Sequence, residues 1–116
     1  LLSNKLNNVV SVGSINDKGA KSTFSSYGNK NVDIYMPGDH LITPYYDTDG
    51  IGLIWSSGTS QAAAVMSGYI GNAHWLYPNK NLIDLKNAII RKSKSVNVNN
   101  EYNLKIVDFL TLINLY

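Results

Sequence analysis

A Gly58-Thr59-Ser60 step stands where the apolar run Ile51 to Trp55 gives way to the small residues Ala62, Ala63 and Ala64. A serine here falls in the first turn of a helix, where the leading backbone N–H groups have no partner within the helix. Those free donors and the helix dipole both favour negative charge. Acyl transfer needs that setting, because the attacking oxygen and the developing oxyanion lie side by side. Ser60 is therefore a candidate nucleophile. A serine at a helix start is more often a cap, so the tripeptide alone does not decide the matter.

A serine hydroxyl also needs a neighbouring base, and the base needs an orienting carboxylate. The chain has two histidines. His74 lies fourteen residues after Ser60, about 21 Å away at ~1.5 Å per helical residue, which is too far. His40, in Pro37-Gly38-Asp39-His40, reads as a loop histidine. Asp47-Thr48-Asp49-Gly50 looks like the start of a calcium loop, but an EF-hand needs a bidentate glutamate. The only glutamate is Glu101, so this stretch reads as a hairpin turn. The eight tyrosines are scattered rather than interleaved with basic residues, which suits packing better than base stacking.

The elements that must position Ser60 follow from the patterning. Val9 to Ile15 is short and β-branched, a buried strand. Asn16 to Gly19 is a turn, and Thr23 to Gly28 an extended, hydroxyl-rich segment. Val32 to Met36 is a second strand, stopped by Pro37-Gly38. Leu41 to Thr43 and Ile51 to Trp55 are short strands flanking the Asp49-Gly50 turn. A helix runs from Ser60 to about Leu76; it is apolar nearly all round, which predicts burial. Gly68 and Gly71 weaken it by ~1 kcal/mol each, with close packing against another backbone the expected compensation. Asn81 caps a second helix, Leu82 to Ser93, with Asp84 at the capping-box position. After a loop from Val96 to Asn100, Tyr102 to Tyr116 suggests a third helix, although Leu104 to Val107 could begin as a strand.

The bulk numbers bound the class. The chain has 116 residues, 44% hydrophobic, with net charge +2, enough for one globular domain with a modest core. The cluster Arg91-Lys92-Ser93-Lys94 is too weak a field for nucleic acid and reads as a solvated helix end. Without cysteine there is no disulfide, thiolate nucleophile or Cys-based metal site. No apolar run reaches the ~20 residues of a membrane span, and the N-terminus lacks the order of a signal peptide.

Several stretches together resemble the subtilisin-like serine proteases. Gly58-Thr59-Ser60-x-Ala62, with Gly68 after it, is similar to the Gly-Thr-Ser-x-Ala-x-Pro-x-x-x-Gly signature around that family's nucleophile. Asn8 to Ser14 resembles its "vitVGA" strand, Thr23 to Gly28 its "FSnyG" segment, and Val32 to Gly38 its "vdi-x-aPG" strand end. Tyr102 to Asp108 resembles the closing segment before the last helix. The likeness covers nearly the whole chain. It departs at Gln61, where the family has Met, at Ala64, where it has Pro, and at Val65, where it has His. These changes bear on the shape of the cleft, and none removes the hydroxyl.

The resemblance implies an α/β fold, the C-terminal half of a subtilisin-like three-layer domain over residues 1–116: a mainly parallel sheet flanked by helices, with a small hairpin before the nucleophile helix. It implies that Ser60 attacks the scissile carbonyl, that the Ser60 N–H and the Thr59 hydroxyl serve the oxyanion, and that Trp55, Ser56 and Ser57 line the leaving-group side of the substrate cleft. The aspartate, the histidine and the oxyanion asparagine belong to the preceding half of such a domain, the expected partner of this chain alongside a peptide or protein substrate. Alone, the chain is expected to be inactive and to associate. No cofactor is required for catalysis, though Asp33 and the carbonyls near Asn4 to Asn8 could by analogy form a structural calcium site. An extracellular or cell-surface location is implied. The rival readings are a subtilase-like pseudoprotease serving as a binding or activating module, and an unrelated α/β binding module.

Overall fold

The computed structural model describes residues 6–28, 31–98 and 101–116. The chain folds in the order β1 (Val12–Ile15), β2 (Ile34–Pro37), β3 (Leu41–Asp47), β4 (Gly50–Ser56), α1 (Thr59–Leu76), α2 (Leu82–Lys92), β5 (Lys94–Val98), β6 (Tyr102–Ile106) and α3 (Phe109–Ile113). Four strands form one sheet in the order β1-β2-β6-β5, while β3 and β4 form a separate hairpin. The β1–β2 and β2–β6 pairs are parallel and β5 runs antiparallel to β6. The expected α/β fold with a mainly parallel sheet, flanking helices and a hairpin before the nucleophile helix is present.

Alternation along β2 separates two cores. Ile34 and Met36 face the helices and join Met66, Tyr69, Leu85, Ile89 and Leu112 in one buried cluster. Tyr35 faces the other way and packs with Ile15, Val32 and Leu104. On that second face the segment after β1 supplies buried hydroxyls. Ser25 Oγ accepts the Ser14 N–H at 2.8 Å, and the Ser14 and Ser22 hydroxyls bond each other at 2.8 Å. These contacts account for the serines at Ser22 and Ser25: the hydroxyls satisfy polar groups that burial would otherwise strand.

The structure revises several boundaries. Strand β1 begins at Val12 rather than Val9. The short strand at Leu41 extends to Asp47, since Pro44 is tolerated in a two-stranded ribbon whose edges are free. Asp47 Oδ1 accepts the Asp49 N–H at 2.8 Å, closing the hairpin turn. The segment read as a loop from Val96 holds the end of β5, and of the two readings left open after Tyr102 the strand is present, as β6, before a single short helix. Antiparallel pairing of β5 with β6 decides both. Helix α1 is not buried all round: Ala62, Met66, Tyr69 and Ala73 are its buried residues. Gly68 and Gly71 are exposed, with nothing within 4 Å of where a Cβ would stand. The expected backbone packing at these glycines is absent among the described residues.

Candidate active site

Strand β4 delivers the chain to the site. Gly58 is the N-cap of the 18-residue helix α1 and no side chain caps it. Thr59 and Ser60 are thus the first two helical residues, and Ser60 is exposed. The first helical bond runs from the Ala62 N–H to the Gly58 carbonyl. The N–H groups of Thr59, Ser60 and Gln61 consequently precede the helical ladder, as an oxyanion site requires.

What holds this turn is the end of β2. The Gly58 N–H donates to the Gly38 carbonyl at 2.7 Å, and the Gly38 N–H to the Ile15 carbonyl at 3.2 Å. A chain of backbone bonds therefore runs from the end of β1, through the end of β2, to the start of α1. Pro37-Gly38 does more than stop a strand: a Cβ on Gly38 would stand 2.7 Å from the Gly58 carbonyl oxygen and 2.8 Å from the Ala62 Cβ.

The residues expected to line the cleft are brought to this turn. Trp55 is 68% exposed. The Ser56 hydroxyl accepts a short hydrogen bond from the Gln61 amide, so the departure from Met at position 61 ties the helix start back to β4. The Ser57 hydroxyl donates to Asp39 Oδ1 at 2.8 Å and accepts the His40 N–H at 2.9 Å. Asp39 Oδ1 also lies 3.0 Å from His40 Nδ1. The loop histidine of the sequence is thus oriented by a carboxylate, a relation visible only as the adjacency of Asp39 and His40 after Pro-Gly. His74 is exposed in the last turn of α1, at the opposite end of the helix from Ser60.

The donors considered for calcium are committed elsewhere. Asn4 and Lys5 lie outside the described residues. The Asp33 carboxylate accepts the Ser11 N–H at 2.8 Å. The carbonyls of Asn7 and Val9 accept from the Lys86 ammonium, which is buried. Of the carbonyls considered, that of Asn7 is thus shared with a protein cation.

The comparisons with known proteins agree on one family. A family model described as the subtilase family matches residues 2–105. Comparison with curated protein sequences finds no match. Among solved structures, MycP1 from Mycobacterium smegmatis superposes with a TM-score of 0.71 at 25% identity, over 90% of this chain and 29% of that one. A protease from Pseudoalteromonas arctica superposes with a TM-score of 0.79 at 21% identity, over 95% of this chain and 36% of that one. The patellamide maturation protease PatA gives 0.75 at 19% identity, over 95% and 43%. The chain therefore spans 29% to 43% of the length of these solved structures.

Proposed function

The chain belongs to the subtilase family, and from that premise we propose that it supplies the nucleophile of a subtilisin-type serine endopeptidase that hydrolyses peptide bonds through an acyl-enzyme. The observation that carries the reading is the exposed Ser60 at the uncapped start of α1, held by the end of β2. Ser60 Oγ attacks the scissile carbonyl and passes its proton to a histidine. The Ser60 N–H and the Thr59 hydroxyl donate to the oxyanion, and Trp55, Ser56 and Ser57 flank the departing amine. The general base, its carboxylate and a further oxyanion donor come from outside these 116 residues. Neither His40, bonded through Nδ1 to Asp39, nor the distant His74 is assigned the role. No cofactor takes part.

The partner is the remainder of the catalytic domain. Ala63, Ala64, Ser67, Gly68 and Gly71 form an exposed, small-residue surface on α1, the kind of surface that lets another element approach closely. By family, the location is extracellular or at the cell surface.

A fluorophosphonate probe tests the reading. In the assembled enzyme it should label Ser60, and Ser60→Ala should abolish labelling and turnover while leaving the fold intact, since the change costs only ~1 kcal/mol. The chain by itself should not be labelled. Absence of labelling in the assembled enzyme would assign the fold to a binding or activating role instead.

A further inference from the structure

Beside the Ser60 turn lies a surface cavity of about 630 Å³ lined by Asp17, Lys18, His40 and Trp55. Asp17 and Lys18 follow the end of β1, and His40 follows the end of β2. These strands are parallel neighbours, and ligands of open α/β sheets bind outside the carboxyl ends of the strands. Ser57, three residues before Ser60, connects the cavity to the nucleophile turn through its bonds to Asp39 and to the His40 N–H.

His40 is unusual in its backbone. Its φ is 54°, the only positive value at a described residue other than glycine. Such a conformation is costly and persists where its surroundings over-determine it, which happens most at functional sites. Here the Ser57 hydroxyl fixes the backbone and Asp39 fixes the ring. The Asp39 side chain is 16% exposed and that of His40 72% exposed, so an anchored carboxylate presents an outward-facing imidazole.

We propose that this cavity is a subsite for a cationic side chain, Arg or Lys, on the leaving-group side of the substrate peptide; this rests on the reading of Ser60 as nucleophile. With its Nδ1–H directed at Asp39, the His40 ring turns Nε2 outward, an acceptor whenever the imidazole is uncharged. Asp17 adds a carboxylate. Trp55 adds an exposed indole face, which attracts cations. Lys18 opposes the ligand's charge, so each group carries a predicted sign.

The test uses the full protein carrying Ser60→Ala, titrated at pH 8 with acetyl-Gly-Arg-Gly-amide and with its Glu counterpart. The imidazole C–H resonances of His40 and the indole N–H of Trp55 are followed. The Arg peptide should shift both saturably and bind more tightly than the Glu peptide by about tenfold. Exposed charge pairs contribute ~0.2–1 kcal/mol, so Asp17→Asn should weaken Arg binding by about threefold and Lys18→Ala should tighten it by a similar factor. His40→Ala should weaken it while amide resonances away from the cavity stay where they are. Equal binding of the two peptides, preference for Glu, or no saturable shift overturns the proposal. Failure of the nucleophile reading shows separately, as absent fluorophosphonate labelling of Ser60 in the assembled enzyme.

Discussion

Gly38 illustrates how one residue far in sequence from a nucleophile sets its position. A methyl group there would meet Ser14 Oγ at 2.5 Å and the Gly58 carbonyl oxygen at 2.7 Å. The carbonyl belongs to the N-cap of α1 and cannot yield without moving Ser60. Gly38→Ala should therefore cost ~1–3 kcal/mol in stability from overpacking. It should also slow labelling of Ser60 in the assembled enzyme by about 10²-fold, since a displacement of ~1 Å is worth that much; labelling kinetics beside a denaturant titration separate the two effects. Tyr69 gives a prediction in pH. Burial, then the Asp108 charge, pushes its hydroxyl up to about 12 from 10.0. The folded state thus holds the neutral phenol more strongly than the unfolded chain does. That stabilisation is complete below pH 10 and is lost as pH rises toward 12. The Tyr69 hydroxyl donates to the Asp108 carbonyl at 2.8 Å. Tyr69→Phe should cost ~1 kcal/mol near neutrality and flatten the fall in urea midpoint between pH 10 and 12.

At the scale of elements, α1 and α2 answer to different forces. Helix α2 is amphipathic and capped: Asn81 Oδ1 accepts the Asp84 N–H at 2.8 Å, and Leu85, Ala88 and Ile89 are buried. Its N-cap is worth ~1 kcal/mol, so Asn81→Ala should lower the urea midpoint by the corresponding amount. Helix α1 buries one face and exposes Gly68 and Gly71 to open space. In the chain by itself, Gly68→Ala and Gly71→Ala should each stabilise by up to ~1 kcal/mol, through helix propensity and reduced unfolded-state entropy. If this face receives the remainder of the domain, the same substitutions should weaken that association. Opposite signs in thermal melts of the chain and in titrations of the assembly are the expected result.

The whole molecule carries more surface than a closed domain of its size. Its accessible area is 7635 Å², against about 6,300 Å² for a folded monomer of this mass. Its radius of gyration is 15.0 Å, against about 13 Å for a compact domain of this length. The excess includes the six apolar residues Ile42, Pro44, Tyr46, Ile51, Leu53 and Trp55, paired across one face of the β3–β4 hairpin and all exposed. In sedimentation the chain alone should self-associate or aggregate, and addition of the remainder of the domain should convert it to a discrete complex. A monodisperse, stable monomer would contradict this account.

By itself the sequence determined the class, the family and the place of Ser60. The Gly-Thr-Ser step, the strand motifs around Gly13 and Gly38, and the cap at Asn81 are local signals, written in residues adjacent along the chain. It also excluded His74, because helix geometry alone sets that distance. Tertiary structure decided what depends on partners distant in sequence. The pairing of β5 with β6 put strand where a loop was expected from Val96, and chose the strand reading left open at Leu104 to Val107. Packing against β1 and β2 showed that α1 has a buried and an open face. The Lys86 ammonium, far along the chain, reaches the carbonyls of Asn7 and Val9. Around Ser60 itself, only the fold shows that Gly38 anchors the turn and that Ser57 binds Asp39 and His40. Those contacts join loops after separate strands, and no spacing along the chain encodes them.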